Sequence, residues 1–267
     1  MKNILLLVHD DEGQEARLQA ALDLTRALEG HLSCIAVTEP PVVVGDFYGT
    51  AGMATAAVVA EDQEREEKNK AELGERLAKE DVSWSWVDVS AGISQGVLEA
   101  ATLADLIVLN RQLDTENYPD MHDITSYILV YGRTPVVAVP EKYLKFQTGR
   151  AFIAWDGSNS CAATMRASVP LLKLAEEVRI FTVNEKNGTA DPDAAAEYLS
   201  RHGIHASIEL VDKGTQGPQQ LITAASEAFK ADYILMGAYG RGRLRETFGG
   251  VTKTMLSTSR IPLLLGH

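Results

Sequence analysis

Short, unbroken apolar runs alternate with longer amphipathic segments along the whole chain. Runs such as LIVLN, YILM and VVAV do not alternate polar with apolar, which is how strands covered on both faces read. Their pattern predicts strands at 3–9, 31–38, 83–90, 104–110 and 134–139, then at 150–155, 177–183, 205–211, 232–236 and 261–265. Between them, helical periodicity predicts helices at 13–29, 60–79, 93–102 and 123–131, then at 159–175, 192–201, 218–229 and 249–258. Asp191-Pro192 reads as an N-cap followed by proline at the first helical position, and Gly203 suits the stop. Pro170 should kink or split the helix that contains it. Strands alternating with helices imply parallel crossovers, hence an α/β fold.

The pattern is written twice. ADLIVLN (104–110) matches ADYILMG (231–237), and RTPVVAVP (133–140) matches RIPLLLGH (260–267), each at an offset of 127. Two matches at one offset indicate internal duplication. The starts match too: NILLLVHDDE parallels GRAFIAWDGS, and pairing Asp10 with Asp156 gives an offset of 146. The first half is then 146 − 127 = 19 residues longer, and the excess falls in the Gly-, Ala- and Val-rich segment 39–59. A lid, a strand-helix excursion or a packing segment would each account for it, and that much apolar surface favours an ordered packing role. The expected units are 1–143 and 148–267, each a five-stranded open sandwich, joined without a long flexible linker and packed on each other.

Composition narrows the classes. The net charge is −12 and the pI about 5.0, so a general nucleic-acid binder is disfavoured. No run reaches the roughly 18 apolar residues of a membrane span. The start MKNILLLVHDDEG is too short in its apolar part for a signal segment, so a cytoplasmic protein is expected. Cys34 and Cys161 sit in small, apolar surroundings and read as buried residues. His202 and His205 lack a completing ligand set, and no metal site is expected.

The segment GAYGRGRLRETFGGVT (237–252) concentrates five of the 21 glycines after a strand and before a helix. Glycines there let backbone N–H groups line a concavity, and the helix start adds positive potential, so the loop favours an anion. It is no Walker loop, because GK[ST] is absent, and no dinucleotide fingerprint. A generic glycine-rich turn is the competing reading. Asp156 follows the first strand of the same half. In open α/β sheets ligands bind beyond the strand ends where the strand order reverses. A carboxylate for hydroxyl or amino donors facing an anion loop describes a nucleotide. A turn or helix cap in DGSNS explains Asp156 equally simply.

With AWDGS (154–158), VNE (183–185) and the glycine loop taken together, the chain resembles a tandem universal stress protein over essentially all 267 residues. The resemblance implies the adenine nucleotide alpha hydrolase-like fold with sheet order 3-2-1-4-5 in each copy, which makes the first and fourth strands neighbours. It implies that Asp156 and the backbone at Trp155 face adenine and ribose, and that Val183 lines the adenine pocket. Gly237, Gly240, Arg241 and Gly242 would approach ribose and phosphates, with Gly249, Gly250, Val251 and Thr252 at the outer phosphates. The expected ligand is ATP, with ADP or AMP as other occupants and Mg²⁺ as an accompanying ion. One departure stands out. Val251 follows Gly250 where the family motif G-x2-G-x9-G-[S/T] has a hydroxyl, so Thr252 supplies that contact or it is lost, at ~1 kcal/mol.

The first half should not bind a triphosphate. Gly237, Gly240, Gly249 and Gly250 map onto Asn110, Leu113, His122 and Asp123, and Asp114, Glu116, Asp120 and Asp123 would repel phosphate. Its expected work is structural. The terminal strand through which single-copy family members pair is available to pair within one chain, leaving a homodimer of the tandem open. Three functional classes follow: a nucleotide-binding regulatory module with at most slow hydrolysis, an adenine-nucleotide hydrolase or transferase, and a nucleotide-free interaction protein. No general base is evident near the phosphates, which favours the first over an enzyme with a catalytic residue.

Overall fold

A computed structural model describes residues 1–38, 50–111, 119–184, 190–238 and 250–267, without the side chains of 50–59 and 62. In the first half the elements are β1 (Asn3–Val8), α1 (Gln14–Ala27), β2 (His31–Thr38), α2 (Thr50–Leu77), β3 (Ser83–Ser90), α3 (Ile93–Ala100), β4 (Leu106–Asn110), α4 (Met121–Tyr131) and β5 (Val136–Val139). In the second they are β6 (Arg150–Ala154), α5 (Asn159–Ala167), α6 (Val169–Leu172), β7 (Glu177–Asn184), α7 (Pro192–Arg201), β8 (Ala206–Asp212), α8 (Pro218–Phe229), β9 (Tyr233–Gly237), α9 (Gly250–Thr258) and β10 (Leu263–Gly266).

The strands form one ten-stranded sheet, ordered β3-β2-β1-β4-β5-β10-β9-β6-β7-β8. Each half therefore has the order 3-2-1-4-5. Every neighbouring pair is parallel except β5–β10, which runs antiparallel with Leu264 opposite Val137. The two open sheets are thus fused edge to edge through their last strands. Four-residue, wholly buried strands at this seam fit the unbroken apolar runs VVAV and LLLG.

Alternate strand residues feed two cores. Ile4, Leu6 and Val8 pack on one face with α1, α2, α5, α6 and α7; Leu5 and Leu7 pack on the other with α3, α4, α8 and α9. This is the three-layer arrangement that continuous apolar strands require. A matched device starts each half. The Asp105 carboxylate accepts from the backbone N–H groups of Lys2 and Asn3, at 2.6 and 2.9 Å, and Asp232 accepts from Arg150 N–H at 2.7 Å. The connection between halves is anchored: Phe146 is buried, donates its N–H to Asp23 at 2.8 Å, and stacks on Tyr233 at 5.8 Å.

Three local outcomes follow from residue chemistry. The helix containing Pro170 splits, with α5 ending at Ala167 and α6 carrying the proline in its first turn. Asp191 caps α7 by accepting from Ala194 N–H at 3.0 Å. The helix expected from residue 60 instead begins at Thr50, so the back half of the 39–59 segment is helical; 39–49 lie outside the described residues. Among the described residues no helix is long and apolar enough to cross a membrane.

Candidate functional site

The strand order reverses between β1 and β4 in the front half and between β6 and β9 in the rear half. The C-terminal ends of these pairs are the two candidate crevices. Their contents differ.

In the rear crevice, Asp156 lies two residues past β6 and is half-buried. One of its oxygens accepts from Ser158 N–H at 2.9 Å, and Ser158 Oγ accepts from Cys161 N–H at 3.2 Å as the N-cap of α5. Asp156 thus shapes the turn that starts α5. Trp155 is nearly buried; its backbone N–H donates to Phe181 O at 2.8 Å, and its indole Nε1 donates to Asp191 O at 3.1 Å. The indole therefore ties the end of the β7–α7 connection to β6. Val183, one residue before the end of β7, is half-buried against the core on the α8 and α9 side.

Two glycines of the loop are bare for different reasons. A Cβ on Gly237 would lie 2.5 Å from Cys161 N and 2.7 Å from Ser160 Oγ. What comes close to this backbone is the chain's own α5. At Gly250, the first described residue of α9, a Cβ would meet no described atom within 4 Å beyond its chain neighbours and its own helix backbone, and φ is not in the left-handed region. Neither packing among the described residues nor strain calls for glycine there. Val251 is half-buried and Thr252 is buried in the same first turn. The structure therefore brings Trp155, Asp156, Val183 and Gly237 to one end of the sheet; Gly250, Val251 and Thr252 open the helix that follows β9. Gly240, Arg241, Gly242 and Gly249 lie outside the described residues.

In the front crevice a residue without any sequence signal dominates. Arg17, on α1, is fully buried. Its guanidinium donates to both Asp11 oxygens at 2.8 and 2.7 Å, to Asn110 Oδ1, to Leu7 O at 3.2 Å and to His9 O at 3.1 Å. All five guanidinium N–H groups are used. The cation thus bridges the ends of β1 and β4. Burial alone would raise the Asp11 pKa; the His9 imidazole, 3.6 Å away, and the charge and hydrogen bonds of Arg17 override it and hold the carboxyl well below the usual range. The α2 helix closes over the same loop: Glu66 accepts from Asp10 N–H at 3.1 Å and lies 3.6 Å from His9 Nε2, while Asn69 and Gln14 exchange amide hydrogen bonds at 2.7 and 2.9 Å.

Matched positions show a reciprocal exchange. Opposing residues Ile4–Leu106 and Ala151–Tyr233 set the strand offset at 151 − 4 = 147, against 233 − 106 = 127 for the fourth strands. The N-caps Gly13 and Ser158 set the first-helix offset at 158 − 13 = 145. The β1–α1 turn is therefore two residues longer. The counterpart of Asp156 is Asp11, which accepts from Gly13 N–H at 2.8 Å, and not Asp10, which pairs with Arg65 at 3.4 Å. Arg17 matches Ala162, and Asn110 matches Gly237. In the front half the strand carries a side chain and the helix a glycine: a Cβ on Gly13 would lie 2.5 Å from Asn110 Oδ1. In the rear half the strand carries the glycine.

The start of α4 is closed by its own chain. The Asp120 carboxylate caps α4, accepting from Asp123 N–H at 3.0 Å. A carboxylate of the chain itself thus occupies the end of α4 where an external anion would bind. Asp120, His122 and Asp123 bring ligating atoms within 4.8 Å of one another, an exposed polar group already engaged by the cap.

Comparison with known proteins places this geometry. No family model matches the chain. A universal stress protein of Synechocystis is 26% identical over 292 aligned residues, spanning 99% of each chain. The crystal structure of a universal stress protein from Archaeoglobus fulgidus superposes with a TM-score of 0.77 at 15% identity, covering 100% of this chain and 98% of that one. A Pseudomonas aeruginosa structure given the same family name superposes at 0.59 with 16% identity, covering 100% and 93%. The likeness to universal stress proteins therefore holds over the whole chain, in sequence and in fold.

Proposed function

We propose that the chain is a tandem universal stress protein acting as a regulatory module, with an adenine nucleotide, ATP first among them, held in the rear crevice and at most slowly hydrolysed. The observation that supports this reading is the exchange at matched positions. The front crevice is filled by the chain's own cation, Arg17, and its fourth-strand helix by the chain's own anion, Asp120. At the rear Ala162 stands at the place of Arg17, and Gly250 stands at the place of Asp123 in the first turn of its helix; Thr247, the counterpart of Asp120, lies outside the described residues. In this reading Asp156 and Trp155 border adenine and ribose, and Val183 flanks the base. Gly240, Arg241, Gly242, Gly249, Gly250, Val251 and Thr252 follow the phosphates, with Mg²⁺ as their counter-ion. The Trp155 N–H is spent on Phe181, so its backbone does not offer that donor to the base. The front half serves as the fixed neighbour of the rear half across the β5–β10 seam, in a cytoplasmic protein.

A nucleotide-free interaction protein is the competing reading, and one observation favours it: Asp156 and Gly237 each have a role inside the fold. Calorimetry with ATP and AMP on the native chain and on Gly240→Glu separates the two. The proposed function predicts binding that the added carboxylate removes, more completely for ATP than for AMP. No heat and no thermal shift with either nucleotide would favour the interaction protein, and rapid turnover of ATP would favour an enzyme.

A further inference from the structure

The β5–β10 seam sets the two halves head to tail, so the C-terminal end of α9 lies at the mouth of the front crevice. Arg111, the first residue after β4, reaches across the seam. Its Nη1 donates to Ser257 O at 3.0 Å and to Leu256 O at 3.4 Å, both in the last turn of α9. Carbonyls in a last turn lack partners within the helix, and a cation there complements the helix dipole. The nine described residues of α9 span about 13 Å. Its last turn is a large part of it, and its first turn carries Gly250, Val251 and Thr252. The offset of 127 places buried Ala238 at the position of Arg111, so the rear half has no arginine at the matching place. The helix that Arg111 holds carries Gly250, Val251 and Thr252 in its first turn, whereas α4 is capped by its own aspartate and faces alanine at the matching position.

We propose that Arg111, a residue of the front half, is a positioning residue for the phosphate seat of the rear half, acting by holding the C-terminal end of α9. The inference rests on the nucleotide reading above. It gives the front half a task beyond scaffolding: fixing the helix on which the outer phosphates rest. The guanidinium touches no nucleotide, so its effect should scale with the phosphates and not with the base.

The test is calorimetry of ATP and of adenosine on the full chain, with Arg111→Ala and Arg111→Lys. Arg111→Ala should weaken ATP about three- to tenfold and leave adenosine within twofold. Arg111→Lys, which keeps the charge but not the two-carbonyl reach, should fall between. Amide exchange should rise in peptides covering 253–258 of Arg111→Ala without ligand. Unchanged ATP affinity overturns the inference, as does an equal loss for ATP and adenosine, which marks general loosening. Were the native chain to bind neither ligand, the nucleotide reading fails first; unchanged exchange in 253–258 would then show that the clamp itself is absent.

Discussion

Replacing Arg17 with methionine should cost far more than a typical helix substitution. The methionine fills most of the aliphatic volume, so the loss is polar. Asp11, with only 4% of its side chain exposed, would keep a buried charge without its cation. Asn110 Oδ1, Leu7 O and His9 O would each lose a donor. Breaking a buried ion pair from one side costs about 3–5 kcal/mol, and the orphaned acceptors place this site within or above that range. Urea unfolding at pH 7 reads the loss, and Asp11→Asn added to Arg17→Met should restore at least half of it. The sign with pH is fixed by the native carboxyl lying below its unfolded value of about 3.9. That group stabilises the native chain above the unfolded pKa, and the contribution fades as pH falls from about 4. In Arg17→Met burial should push the same carboxyl up instead, so acidification stabilises the variant, and the gap between the two proteins should close toward pH 4. A loss under ~1 kcal/mol at pH 7, or a gap that widens on acidification, would refute the view that Arg17 is the internal occupant of the front crevice.

Two further outcomes follow from the rear half and the cores. Gly237→Ala forces a Cβ against the Cys161 backbone and should destabilise by about 1–3 kcal/mol in thermal melts; a neutral result would mean that α5 is not seated on β9 as described. Cys34 and Cys161 are buried, and burial pushes both thiols up to about 12, so neither should react with a thiol reagent at pH 8 until denaturant is added, and prompt labelling of either would contradict that burial.

The strands were legible because both faces are covered, and all ten lie within two residues of the apolar runs at each end. Pro170 and Asp191 marked their helix boundaries because their backbone chemistry is local. Other features depended on neighbours distant in sequence. Arg17 sits in QEARLQAALDL like any surface arginine of an amphipathic helix; only the turn at Asp11 and the end of β4 bury it. The match of Asp10 to Asp156 missed the two-residue lengthening of the β1–α1 turn, which a comparison of strings cannot separate from the register of the strands. The start of α2 is hard to place from sequence because TAGMATAAVV runs on directly from Pro- and Gly-containing residues, although its alanines favour a helix. The glycine loop shows the same limit. Sequence marks where side chains are missing, but the contact that excludes a side chain at Gly237 comes from α5, whereas at Gly250 the described residues leave the space open.

Hydrogen exchange with and without saturating ATP tests the central asymmetry most directly. Protection confined to peptides spanning 154–158 and 237–258, with those spanning 9–17 and 110–131 unchanged, is the predicted result. Protection of the front peptides, with the rear ones unaffected, would contradict it.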